Sequence, residues 1–225
     1  MTRCDRTLLL IRPKAQSETF LAECQRQLGG PVAHVISPVL KIAPVNDLPD
    51  LSPYATVMVT SGNAVDRAGE QLLGRRVVTV GERTARRAAG FGANATCLGE
   101  NIEQFLPSLP TLEQPVLHLR GQYARADMVG LAKAAGVHLD EAIVYEQREE
   151  KLNAQALELL SSGAALVPVF SPRTAMLASR YPTDSHTIVL AISDAAAKSW
   201  HGSGTIRVAE YPTADAVIEL IRNAF

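Results

Sequence analysis

Short, unbroken apolar runs alternating with helix-length segments constrain this chain more than any other feature. A strand whose successive residues are all apolar must be covered on both faces, as in a parallel sheet with helices above and below. Residues 7–11, 32–36, 57–60, 77–80, 116–119, 138–144, 166–170, 188–192 and 205–208 read as strands. Residues 15–28, 64–73, 84–89, 126–135, 174–180, 195–201 and 214–223 read as helices. Ser17 is the expected N-cap of the first helix, and Gly29-Gly30 its stop. The expected fold class is α/β with doubly wound parallel sheets.

The alternation contains a duplication. Leu10-Ile11-Arg12-Pro13 is similar to His118-Leu119-Arg120-Gly121, each arginine ending a strand and preceding a helix that stops at glycine. Val59-Thr60-Ser61-Gly62-Asn63-Ala64 is similar to Val169-Phe170-Ser171-Pro172-Arg173-Thr174. Each of these is followed, one helix and one strand later, by Val80-Gly81-Glu82-Arg83-Thr84-Ala85 or Ile192-Ser193-Asp194-Ala195-Ala196-Ala197. With the first motif called A and the second B, the chain reads A, B, A, B. A flavodoxin-like lobe needs about five parallel strands, more than A or B supplies alone. Pairing the first A with the last B gives a discontinuous lobe of residues 1–37 plus 150–225, around an inserted lobe of residues 53–144. Residues 38–52 and 145–149 are then linker crossings. The first crossing is rich in proline, and the second opens the charged run Glu146 to Lys151, read as a solvated segment.

Several function classes drop out. With 22 basic and 23 acidic residues the net charge is −1, which gives no general nucleic-acid surface. Cys4, Cys24 and Cys97 are odd in number and widely spaced, so neither a disulfide framework nor a zinc site is expected. The five histidines lack metal-ligand spacing and read mostly as surface or structural residues. The apolar stretch Leu8 to Ile11 is too short for a signal peptide or a membrane span. The expected protein is therefore cytoplasmic. Gly90-Phe91-Gly92-Ala93-Asn94-Ala95 fits a dinucleotide pattern but follows a helix, and neither a phosphate loop nor a G-x-S-x-G elbow occurs.

Ligands of parallel α/β sheets bind beyond the carboxyl ends of strands. The candidate segments are therefore Arg12-Pro13, Thr60-Ser61-Gly62-Asn63, Gly81-Glu82-Arg83-Thr84, Arg120-Gly121, Ser171-Pro172-Arg173 and Ser193-Asp194. Three of them open helices, where free N–H groups and the helix dipole favour carboxylates or phosphates. Helix capping is the alternative role for Ser61, Thr84 and Ser171, and a surface ion pair for Arg12 and Arg120.

Taken in order, these segments resemble the uroporphyrinogen-III synthase family. The matching pieces are Arg12-Pro13, Thr60-Ser61 with Asn63-Ala64, Val80-Gly81 with Thr84-Ala85, and Leu119-Arg120-Gly121 with Arg125. Leu131, Gly136-Val137, Val144-Tyr145 and Phe170-Ser171-Pro172 complete the set. The resemblance spans nearly the whole chain, and order and spacing make it specific.

It implies two flavodoxin-like lobes joined by a two-stranded linker, with substrate in the cleft between them. It also implies a monomeric enzyme that needs no cofactor and takes hydroxymethylbilane, a linear tetrapyrrole, as substrate. Water leaves the hydroxymethyl group of ring A, ring D attacks through its substituted carbon, and the spiro intermediate fragments and recloses with ring D inverted. The resemblance gives Tyr145 the acid role and matches Thr84 to the family's threonine in the inserted lobe. Arg12, Ser61, Gly62, Asn63, Gly81, Arg120, Ser171, Pro172 and Ser193 are the substrate-binding candidates. The chain departs from the family at Ser193-Asp194-Ala195-Ala196-Ala197, where many members carry glycine-proline-threonine-threonine-alanine. Both threonine hydroxyls are missing, which shifts weight to backbone N–H groups. The competing reading is a non-catalytic bilobal protein that captures a small polyanion.

Overall fold

A computed structural model describes residues 6–123 and 126–225; Cys4 and Arg125 lie outside the described residues. The chain opens with β1 (Thr7–Leu10), α1 (Lys14–Leu28), β2 (His34–Ile36) and β3 (Leu40–Pro44). β4 (Thr56–Val59), α2 (Gly62–Ala68), β5 (Arg76–Thr79), α3 (Glu82–Ala89) and β6 (Asn94–Cys97) follow. Next come α4 (Ile102–Phe105), β7 (Val116–Gly121), α5 (Met128–Ala134) and the long β8 (Leu139–Glu149). The chain closes through α6 (Ala154–Ser162), β9 (Ala165–Val169), α7 (Pro172–Ala178), β10 (Ile188–Ala191), α8 (Asp194–Lys198), β11 (Thr205–Val208) and α9 (Ala214–Arg222).

The described residues divide into two compact units, Met1–Lys41 with Arg148–Phe225, and Ile42–Gln147. Unit 1 carries the sheet β11-β10-β9-β1-β2, parallel throughout. Unit 2 carries β8-β7-β4-β5-β6, also parallel, with β3 added beyond β8. Both sheets share one plan. The two strands of an A motif lie beside the strands of a B motif, in the order A2, A1, B1, B2, B3. In unit 1 the A strands come from the first copy and the B strands from the last; unit 2 uses the inner copies. The order in unit 1 is that of flavodoxin, and unit 2 is its circular permutation.

The apolar runs work as their patterning requires. In β1, Leu8 and Leu10 face one core with Phe20 and Ile218, while Leu9 faces the other with Val167 and Val189. In β4, Val57 and Val59 pack under α2 and Met58 packs against Phe105 and Met128. Each such side chain contributes roughly 1.5–3 kcal/mol through burial. α1 ends where expected, at Gly29 in the left-handed region (φ 78°), with its N–H and that of Gly30 on Gln25 O.

Some boundaries differ from the sequence reading. Ser17 lies inside α1, buried, with its hydroxyl donating to Arg12 O (2.9 Å), and Pro13 occupies the N-cap position. The proline-rich first crossing contains β3, and the charged run begins inside β8. The hydrogen bonds from Val45 N to Val144 O and from Glu150 N to Val39 O bracket this pair and make it antiparallel. β3 is an edge strand, where Lys41 and Pro44 point outward at no cost to the ladder. β6, the other edge, alternates between exposed and half-buried residues and so lacks an apolar run.

Candidate functional site

In unit 2 the carboxyl ends of β8, β7, β4 and β5 are neighbours, and the turns that leave them carry the candidate residues. Ser61 caps α2 in extended conformation (φ −146°), its Oγ accepting from Asn63 N–H at 3.2 Å. Gly62 is the first helical residue; a Cβ there would press on the Arg87 side chain at 3.2 Å. Gly81 caps α3 at φ 83°, a conformation that favours glycine, and its N–H reaches Gly99 O. Thr84 is not a cap. It lies within the first turn of α3, half-buried, with its N–H on Gly81 O.

Tyr145 comes from β8 just after a shift in the β7–β8 register at Arg120/Gly121, and pairs with Gly121. Tyr145 is 7% exposed and lies in the core with Val59, Leu119 and Val144. Gly121 makes this possible, since a Cβ at that position would lie 2.5 Å from the phenol Cζ. The phenol donates to Ser61 Oγ at 2.9 Å. Ring packing and a directed hydroxyl thus occur in the same residue.

The opposite face of the same sheet edge carries a second polar row. His118 and Glu141 are register partners on β7 and β8, and Nδ1 of His118 is 3.1 Å from Glu141 Oε1. Arg120 Nε–H donates to Glu141 Oε2 at 2.8 Å, and its Nη1 reaches the carbonyls of Gly121 and Gln122. His118 Nε2 lies 3.2 Å from Thr60 Oγ1. His118 is 1% exposed, and burial pushes its pKa below the ordinary value, against the pull of the Glu141 carboxylate. Thr60 and Ser61, consecutive in the chain, are therefore held from opposite faces, one by an imidazole and one by a phenol.

In unit 1 the corresponding strand ends are those of β10, β9 and β1. The Arg12 guanidinium lies 4.1 Å above the Phe170 ring, which meets Phe20 edge-on, and its Nη2 donates to Gln16. Ser171 caps α7 by accepting from Thr174 N–H, with Pro172 at the first helical position. Ser193 caps α8, and Asp194 is exposed in the first turn, where the helix dipole favours its charge. Ala195 and Ala196 follow as helix interior.

The sequence reading thus located the turns. It missed Thr60, His118 and Glu141 as a linked set. The available signal was a histidine interrupting the buried run of β7 and a carboxylate on the half-buried start of β8, at positions that parallel pairing brings side by side.

The model for uroporphyrinogen-III synthase HemD matches residues 20–219. The chain belongs to the uroporphyrinogen-III synthase family. This is a family of cyclising lyases of tetrapyrrole biosynthesis. The uroporphyrinogen-III synthetase of Helicobacter pylori is similar in structure, with a TM-score of 0.67 at 17% identity over 98% of this chain and 99% of that one. A mutant uroporphyrinogen III synthase of Thermus thermophilus gives a TM-score of 0.50 at 16% identity over 97% and 98% of the two chains. No curated protein sequence matches. At these identities the solved structures speak for the fold, and the uroporphyrinogen-III synthase model carries the family. Among the described residues, no helix is long and apolar enough to cross a membrane.

Proposed function

We propose that the protein closes hydroxymethylbilane to uroporphyrinogen III, with loss of water and inversion of ring D, as a cytoplasmic, monomeric enzyme that needs no cofactor. The observation that carries the reading is the Tyr145–Ser61 hydrogen bond at the carboxyl end of β4. Hydroxide is a poor leaving group, and its departure from ring A needs a proton. A phenol O–H can supply that proton. Tyr145 is nearly sealed, whereas Ser61 is half-buried. The phenol proton is aimed at Ser61 Oγ, and Ser61 has its own proton to give. Tyr145 is thus the acid and Ser61 its outlet. The C–O bond breaks as that oxygen takes the Ser61 proton, and Ser61 recovers a proton from Tyr145.

Substrate carboxylates are assigned to the Gly62 backbone N–H, to the Asn63 side-chain amide, to the Thr84 hydroxyl and to Arg120, with Gly81 setting the turn into α3. In unit 1, Arg12, Ser171 and Ser193 occupy equivalent strand ends and take the same role, with Pro172 fixing the turn. Positioning a reactive substrate in this way supplies up to about 7–11 kcal/mol in ideal cases.

The test is incubation with freshly generated hydroxymethylbilane, followed by separation of the type I and type III isomers. Type III product above the protein-free control is expected. A product distribution equal to that control refutes the reading.

A further inference from the structure

The row Thr60–His118–Glu141–Arg120 has no part in the proton transfer just described, and its hydrogen-bond direction is fixed by its own chemistry. We propose that the Thr60 hydroxyl is a dedicated acceptor for a pyrrole N–H of the substrate, and that His118 is the positioning residue that makes it one. The proposal rests on the tetrapyrrole reading above and adds which group of that substrate meets this side of the sheet edge.

An ionised carboxylate only accepts. Glu141 Oε2 takes the Nε–H of Arg120, and Oε1 faces His118 Nδ1, so Nδ1 must carry a proton. A neutral imidazole has one N–H, which leaves Nε2 bare. Bare Nε2, 3.2 Å from Thr60 Oγ1, takes the only proton that hydroxyl has. Thr60 is then left with lone pairs alone. It is half-buried at the end of β4, whereas His118 is sealed, so the accessible hydroxyl of the row belongs to Thr60. Such an oxygen accepts from an N–H and repels a carboxylate. The proposed substrate brings both groups, and Thr60 therefore sorts pyrrole rings from carboxylate arms.

Protonating His118 reverses the last link. Nε2–H then donates to Thr60, the hydroxyl proton turns outward, and a pyrrole N–H meets another donor. The charged groups that act on His118 are Glu141 from β8, which favours the imidazolium, and Arg120 from its own strand, which opposes it together with burial. β4 brings Thr60 and, opposite His118, Met58, neither of them charged.

The probe is freshly generated hydroxymethylbilane, with kcat and KM followed across pH. The wild-type KM should rise on the acid side, below the ordinary histidine range. Thr60→Val should raise KM about fivefold at neutral pH, the loss of one hydrogen bond, with kcat within about twofold, and should abolish the acid-side rise. Thr60→Ser should restore both. Nitrogen NMR of the His118 ring, assigned by its loss in His118→Gln, should show Nδ1 protonated and Nε2 bare at neutral pH. That measurement does not use the Thr60 variants and decides the tautomer even if Thr60→Val does not fold. A protonated Nε2 overturns the proposal, as does a folded Thr60→Val enzyme with wild-type KM and acid limb. A wild-type protein that makes no type III isomer overturns the reaction assigned above, an outcome distinct from either.

Discussion

Tyr145→Phe separates the two roles that the structure combines in one residue. The substitution keeps the ring, its contact with Gly121 and its packing with Val59 and Leu119. It removes one hydroxyl and the 2.9 Å bond to Ser61. Ser61 keeps the Asn63 N–H, so no cap is lost. The stability cost is about 1 kcal/mol, roughly 2–4 °C in Tm for a chain of this size. General acid assistance is worth ~10²–10⁴-fold, so turnover should fall at least about tenfold while the melt shifts by only those few degrees. Ser61→Ala interrupts the same path from the other side, with a cap penalty of about 1 kcal/mol. Because the two hydroxyls act in series, the double variant should be little slower than the slower single one. The assay is initial-rate formation of the type III isomer, paired with a thermal melt of each variant. A folded Tyr145→Phe enzyme within twofold of wild-type kcat would remove the phenol from the reaction and leave substrate carboxyls or water as the acid.

Gly121→Ala should cost more than Tyr145→Phe in both stability and turnover. Its Cβ would lie 2.5–2.8 Å from the phenol ring and hydroxyl, forcing the ring aside at about 1–3 kcal/mol; a melt and a rate measurement check this. Stability should depend on pH through His118, whose pKa in the folded state is lowered by burial. That contribution is present above the unfolded value near 6.5 and is lost as pH falls from there toward the folded value, because the unfolded chain takes the proton first, with a slope of at most ~1.4 kcal/mol per pH unit. Urea unfolding across this range should show the slope, and His118→Gln should flatten it. Thr79→Val should stabilise the protein by about 1 kcal/mol, because Thr79 Oγ1 is buried without a partner and valine keeps its shape; a lower melting temperature would contradict this.

Period and order carried the sequence reading a long way. Fully buried strands such as β1 and β9 announce themselves as apolar runs, and the glycine after α1 marks its end through a backbone angle that other residues avoid. Edge strands do not announce themselves. β3 and β6 are apolar on one side at most, and Pro44 hides the strand that lies within the first crossing. Helices α4 and α6 escaped for another reason. One is a single turn capped by Asn101, and the other follows the charged end of β8, where no apolar run announces the strand before it. At the site, Ser61, Gly81 and Arg120 were legible because turns after strands are. His118 was not. A buried histidine looks like any other until the register of β7 and β8 sets Glu141 beside it.

The exchanged pairing of the two copies also bears on how the polypeptide is made. β1 leaves the ribosome long before β9, yet it lies mid-sheet between β2 and β9, and β9 begins only at Ala165. Until then one edge of β1 has no neighbour, and Leu8, Leu9 and Leu10 lack part of the cover they have in the finished unit. Residues 42–147, by contrast, hold every strand their parallel core needs and can close while the rest is still being synthesised. The amino-terminal strand is thus an early product with a late partner. Such a strand is vulnerable to association with other nascent chains, and nascent chains cut short before β9 should be rich in aggregates.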